Sequence, residues 1–154
     1  MNELLDQIQI QQVPDLLRFD ISFIFNDSIS DGYRHIQQLI DDYKSGRNRF
    51  VKPGESLFIA LLSDRAVGIC GLNQDPYNGS AYGRIRRLYV MKNHRETGIG
   101  RTLVEAVIKQ ANGTFDKLVL RTDNPVAGKF YESLGFKVTM DILHATHIKE
   151  VEVN

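Results

Sequence analysis

The chain has 154 residues, with 19 basic and 19 acidic side chains, four histidines and one cysteine. That length predicts one domain, residues 1–154, with a core large enough to need no cross-links. Zero net charge argues against general binding to nucleic acid or to an anionic membrane surface, and a lone cysteine excludes an internal disulfide. No run approaches the ~18 apolar residues of a membrane span. The acidic start Met1-Asn2-Glu3-Leu4-Leu5-Asp6 does not read as a secretory leader. The expectation is a soluble cytoplasmic protein.

Ile8 and Ile10 alternate with glutamines and predict a short first strand before Pro14. The next stretch fits two periods. Phe19, Ile21, Phe23 and Phe25 alternate as in a strand, whereas Leu17, Ile21 and Ile24 share a helix face. Ser28 or Ser30 is a candidate cap for the following helix. Tyr33, Ile36, Ile40 and Tyr43 mark the apolar face of that helix, and Gly46 is its expected terminator. Arg47 to Glu55 reads as a basic, solvated loop ending in a Pro-Gly turn, with Arg47 and Arg49 available to an anion. Residues 57–62 and 67–72 predict an antiparallel hairpin around Ser63-Asp64-Arg65, with Cys70 a buried structural thiol. A turn-rich loop spans Asn73 to Ala81.

The stretch Arg84 to Val104 organises the rest. Ile85 to Val90 is β-branched and aromatic enough for a strand. A polar turn through His94 leads to Arg95-Glu96-Thr97-Gly98-Ile99-Gly100, and then Leu103, Val104, Val107, Ile108 and Ala111 form one helical stripe. A strand, a glycine loop and a helix in that order aim backbone N–H groups at an anion, where the positive end of the helix dipole adds to them. The Lys-Ser/Thr of a Walker A loop and the third glycine of a dinucleotide fingerprint are both missing. Beyond Asn112-Gly113, residues 117–121 predict a strand. A helix opens at Pro125 with Ala127, Phe130, Tyr131 and Leu134 inward. Val138 and Met140 begin another strand, and His147 to Val153 reads as the last.

Two segments carry a resemblance. Arg95-x-x-Gly98-x-Gly100 resembles the coenzyme A pyrophosphate loop of the GNAT superfamily of acetyltransferases. Asn124 to Phe136, with Ala127, Phe130, Tyr131, Glu132, Gly135 and Phe136 in place, resembles that family's N-x-x-A-x-x-F-Y-E-x-x-G-F segment. The match is tight from Gly83 to Phe136 and looser elsewhere. It implies an α/β fold of α+β type: a mixed, largely antiparallel central sheet flanked by helices, in which two central strands splay apart around the thioester arm. It also favours a helix in the ambiguous stretch after Pro14.

The resemblance implies acetyl-CoA as cosubstrate and transfer of its acetyl group to a primary amine of a small molecule or peptide. Backbone groups of Arg95, Glu96, Thr97, Gly98, Ile99, Gly100, Arg101 and Thr102 would hold the pyrophosphate, with the Arg95 or Arg101 side chain adding charge. The edge of Leu88, Tyr89 and Val90 would pair with the pantetheine amides, and a backbone N–H there, that of Val90, would polarise the thioester carbonyl. Asn124 and Phe130 join the cofactor set, and Tyr131 is the expected general acid for the leaving thiolate.

The family often places a glutamate base near the start of the central strand. This chain has Arg84 there, which cannot be a base at neutral pH but could hold an anionic acceptor. His144 and His147 are the candidate bases elsewhere, His147 being the one carried into the catalytic set with Tyr131. No metal-ligand spacing occurs. A non-catalytic acyl-CoA sensor, or a loop holding another phosphate such as a nucleotide, are the competing readings. The family also allows a homodimer.

Overall fold

A computed structural model describes residues 3–151. A short helix, α1 (Glu3–Gln7), leads into β1 (Ile8–Gln12). One turn of 3-10 helix, Leu16–Arg18, precedes α2 (Ser22–Ser30) and α3 (His35–Ser45). The ambiguous stretch is therefore helical. Asp15 and Asp20 accept hydrogen bonds from the amides of Leu17 and Ser22 and so start its two turns. The serine caps are corrected: Ser28 and Ser30 lie inside α2 and bond back to the carbonyls of Phe25 and Asp27. Arg34, with no side-chain capping bond, precedes α3 instead. Gly46 ends α3 at φ 81°, as expected.

The hairpin of β2 (Ser56–Leu62) and β3 (Arg65–Gln74) turns through Ser63 and Asp64, both at positive φ. β3 runs to Gln74, so the following loop is shorter than predicted. Then come β4 (Tyr82–Val90), α4 (Ile99–Ala111), β5 (Lys117–Leu120) and α5 (Pro125–Ser133). β6 (Lys137–Val138) has two residues and stops before Met140, which is 94% exposed. β7 (His147–Glu150) follows; of its predicted continuation, Glu152 and Val153 lie outside the described residues.

One seven-stranded sheet has the order β1-β2-β3-β4-β5-β7-β6. Only β4 and β5 run parallel; the other five pairings are antiparallel. Each face carries its own core. α4 lays Ile99, Leu103, Val104, Val107 and Ala111 on one face, where Phe58, Leu72, Ile85 and Leu118 meet them. Gly68 makes that approach feasible, since a β-carbon there would lie 2.9 Å from Leu103 Cδ1. α2 and α3 cover the other face with Ile24, Ile36, Leu39 and Tyr43 against Leu57, Ile59, Ile69 and Tyr89. Phe50 joins this second core, so the basic loop is anchored rather than wholly solvated. Arg47 pairs with Asp42, and Arg49 donates to the Tyr43 carbonyl. Cys70 is fully buried, and burial pushes its thiol up to about 12. No helix among the described residues is long and apolar enough to cross a membrane.

Candidate active site

The site starts where the central sheet comes apart. β4 pairs with β5 only over Tyr82–Arg84, against Lys117–Val119. Beyond Arg84 that edge of β4 has no strand beside it. On its other side β4 follows β3, with Arg86 opposite Gly71 and Tyr89 opposite Ile69. Arg87 and Leu88 thus share one partner, Cys70, and Arg87 takes φ 63°. This is a β-bulge, and it bends the strand and raises its twist. Past it, the Met91 amide donates to the Val67 carbonyl at 2.9 Å. Gly68 and Val90 are therefore a non-hydrogen-bonded pair, and the N–H of Val90, like that of Leu88, points away from β3 into the opening. The carbonyls on this edge are engaged: Leu88 accepts from the Tyr33 hydroxyl at 3.1 Å, and Val90 from Arg95 Nε at 2.9 Å.

The glycine loop closes one end of the opening. Glu96 and Gly98 both adopt positive φ, 62° and 92°. The first helical bond of α4 comes only at Thr102, whose amide donates to the Gly98 carbonyl. Among the described residues no acceptor meets the N–H groups of Gly98, Ile99, Gly100 or Arg101. Four donors at the positive end of a helix form an anion cradle. Side chains brace the loop: the Thr97 hydroxyl donates to the His94 carbonyl, Thr102 Oγ1 to the Gly98 carbonyl, and Ile99 is buried. At Gly100 a β-carbon would touch Phe130 at 3.4 Å and Val90 at 3.7 Å, so loop, β4 and α5 converge there.

Arg95 departs from expectation. Its guanidinium turns back to the Val90 carbonyl and to Asp31 Oδ2 of α2 at 2.8 Å, over the Tyr89 ring. It ties the loop to the helical face of the sheet rather than projecting charge into the cradle. Arg101 is exposed, with one long contact of 3.4 Å to Ser133, and is the side chain free to reach an anion. The Tyr89 side chain belongs to the α2 side, where its hydroxyl donates to Asp27 at 2.6 Å.

Tyr131 enters from α5. Its ring sits edge-on to Phe130 and Phe136. Its hydroxyl has no hydrogen-bond partner among the described residues. Burial, then Cys70 and Tyr33, pushes its ionisation well above the ordinary phenol range. Tyr33 is likewise held up, at about 12, chiefly by burial. Both phenols are protonated at neutral pH. Asn124 caps α5, its Oδ1 accepting from the Val126 amide at 2.9 Å, which leaves the amide nitrogen free to donate.

Two assignments change. Arg84 is buried, with Nε 2.8 Å from Asp75 Oδ1, Nη1 2.8 Å from the His144 carbonyl, and Tyr77 stacked above. A guanidinium already paired with a buried carboxylate acts as a strut between two loops. His147 is 6% exposed. Nε2 meets Glu132 Oε2 at 3.1 Å and Nδ1 meets Thr146 Oγ1 at 2.9 Å, so both ring nitrogens are occupied, one of them in joining β7 to α5. His144 stacks on Tyr77 at 4.3 Å.

What the sequence reading missed lies on α3. His35 Nδ1 is 2.8 Å from Arg87 Nη1, and its ring packs edge-on against Tyr33. The signal was present in Arg84, Arg86 and Arg87, charges too dense for a strand buried on both faces. Among the described residues no cluster of His, Cys, Asp or Glu could hold a metal.

A split sheet, a free strand edge and an N–H cradle at a helix start define an acyl-CoA-binding fold of the acetyltransferase type. The family model for the Acetyltransferase (GNAT) family matches residues 21–136, and the chain belongs to that family. Over 86 residues it is 37% identical to N-alpha-acetyltransferase 30 of Schizosaccharomyces pombe; the match covers 53% of this chain and 57% of that relative. The chain thus spans little more than half the length of that curated relative. Among solved structures, an assigned acetyltransferase of Exiguobacterium sp. 255-15 superposes with a TM-score of 0.83 at 26% identity, covering 93% of each chain. A mutant AtaT toxin bound to the C-terminus of the antitoxin AtaR and to acetyl-CoA shares the fold, with a TM-score of 0.64 at 17% identity over 95% of this chain and 94% of that one.

Proposed function

We propose that the protein transfers the acetyl group of acetyl-CoA to a primary amine of a small molecule or peptide. The observation that carries this is the open β4 edge flanked by the N–H cradle. The pyrophosphate fits the amides of Gly98 to Arg101, and the pantetheine arm fits the edge of Leu88 to Val90, with Asn124 and Phe130 on its other flank.

The amine attacks the thioester carbonyl, whose oxygen gains charge next to the N–H of Val90. One such donor is commonly worth ~3 kcal/mol. Collapse of the tetrahedral intermediate breaks the C–S bond, Tyr131 gives its proton to the departing sulfur, and the proton lost by the newly acylated nitrogen restores the phenol. Its raised proton affinity suits an acid that must stay protonated until the thiolate forms.

An alkylammonium acceptor with a pKa near ~10.4 must first lose a proton, at a cost of about 4.6 kcal/mol at pH 7. Arg84 and His147 are both committed elsewhere, and we assign that proton to water in the opening. The lack of a carboxylate at the start of β4 favours a second reading, an acyl-CoA sensor without turnover. Isothermal titration with acetyl-CoA, coenzyme A and ATP, followed by thiol release with amines, separates the readings. Coenzyme binding with no ATP response and measurable thiol release is expected. Binding without release to any amine would leave the sensor, and no coenzyme binding would remove both.

A further inference from the structure

Three arginines of β4 converge on one face. Arg84 and Arg86 alternate onto the side covered by α3: a β-carbon on Gly71, the partner of Arg86, would strike Phe50 of that core. The bulge brings Arg87 to the same side, against His35 and Asp42. The counter-charges are few. Asp75 is consumed by Arg84. Asp42 lies 3.9 Å from Arg87 Nη2 but only 3.0 Å from Arg47 Nη1. Arg86 is half-buried and makes no hydrogen bond or ion pair with any described residue. Arg84 Nη2, on the same face, is buried without a partner among the described residues.

His35 adds a directed donor. A guanidinium can only donate, so Arg87 donates a hydrogen bond to Nδ1, and the neutral ring carries its own hydrogen on Nε2. Burial and the charges of Arg87 and Arg86 hold its ionisation below the ordinary histidine range, so the neutral tautomer prevails at pH 7. With Nδ1 engaged, His35 serves as a fixed donor rather than a base. Its ring packs on Tyr33, whose hydroxyl is bonded to the Leu88 carbonyl at the reacting edge.

We propose that the acceptor amine carries a carboxylate, and that Arg86 together with His35 Nε2–H binds that carboxylate on the α3 side of the opening. This rests on the acetyl-transfer reading, because it places the anion on the acceptor. An arginine fork and an imidazole N–H on one face of the sheet offer donors for the two oxygens of a carboxylate, and the anion supplies the charge that Asp42 and Asp75 do not.

The test uses two readouts on the full chain. In the first, glutarate is titrated into the coenzyme A complex while the backbone amide of His35 is followed by NMR. A saturable shift is expected, with affinity at least tenfold weaker in Arg86→Ala. No saturable shift, or one that Arg86→Ala leaves intact, overturns the site even if amines are acetylated. In the second, 5-aminopentanoate and its amide are compared by thiol release at saturating acetyl-CoA. The carboxylate should lead by at least tenfold in kcat/KM, and Arg86→Ala should erase the lead. Equal, measurable rates for the two amines overturn the proposal without any variant. Saturable glutarate binding with no transfer to either amine would instead sink the acetyl-transfer reading and leave the anion site standing.

Discussion

Replacing Tyr131 by phenylalanine should separate activity from stability. The hydroxyl has no hydrogen-bond partner among the described residues, in a residue only 7% exposed. The hydroxyl keeps contact with solvent, so its removal leaves no buried group unpaired and the variant should be about as stable as the parent. Its ring contacts with Phe130 and Phe136 survive unchanged. The acetyl-transfer step, however, loses its acid. General-acid catalysis of this kind contributes roughly 10²–10⁴-fold, which is about 3–5 kcal/mol of barrier. The assay is kcat by thiol release beside a urea unfolding midpoint, with acetyl-CoA affinity as the control. The expected result is kcat down at least a hundredfold, midpoint equal, and affinity unchanged. An unchanged kcat would show that the phenol only fills space, and a lowered midpoint would show that its hydroxyl holds the core together. Either outcome refutes the reasoning.

Gly100→Ala should fold normally, because its φ is not positive and the new carbon meets only ordinary contacts of 3.4 Å or more, yet acetyl-CoA affinity measured by calorimetry should fall at least tenfold. Gly98→Ala should lose stability as well, since φ 92° and Leu5 at 2.9 Å both oppose a β-carbon; equal unfolding midpoints for the two variants would contradict this. Arg84→Ala should strand a fully buried Asp75 carboxylate and cost ~3–5 kcal/mol in urea unfolding; a normal midpoint with a raised KM for the amine would restore Arg84 to the substrate. For His35, the folded state resists protonation while the unfolded chain takes up a proton near pH ~6.5. The unfolded state then binds more protons, so this contribution to stability is complete above pH ~6.5 and declines below it. The melting temperature of the parent should drop more steeply than that of His35→Asn as pH falls below that point, and parallel curves would remove the effect.

The helices and strands with long, clean periods were legible because each is decided by its own residues. The α4 stripe and the β2–β3 hairpin are cases where local pattern and final packing agree. The glycine loop was legible as a loop because Gly98 takes φ 92° and Gly100 lies where a β-carbon would meet Phe130 and Val90, constraints that act on residue type directly. Residues 14–27 resisted because Leu17 and Phe23, which help set the apparent period, end up 56% and 45% exposed. There the asparagine-like turns of Asp15 and Asp20 decide the matter, and hydrophobicity does not register them. The roles of charged residues were the least legible. Arg84 looked free because Asp75 and the His144 carbonyl, its partners, are 9 and 60 positions away. His35 looked unremarkable because its partner is 52 positions away. A guanidinium exposed to substrate and one buried against a carboxylate have the same letter, and only the tertiary pairing separates them.

The bulge at Arg87 explains why strand and site cannot be designed apart. A side-chain period of two would alternate Arg86, Arg87 and Leu88 across the sheet, and would put Tyr89 on the α4 side. The extra residue cancels that flip. Leu88 can then pack toward α4 while Tyr89 reaches Asp27 on α2, and Arg87 reaches His35 on α3. A non-glycine residue at φ 63° costs roughly 1–2 kcal/mol. The same residue offsets part of that cost through its contacts with His35 and Asp42, so glycine would relieve the backbone only by giving up the tie to α3. The distortion that directs the Leu88 and Val90 N–H groups into the opening is thus held by the side chain that also fixes the His35 tautomer. On the proposed reading, the Val90 N–H and His35 Nε2–H are both positioned by one residue. Arg87→Gly should therefore shift the pH-independent kcat and the KM for the amine together; a change in neither would sever the two.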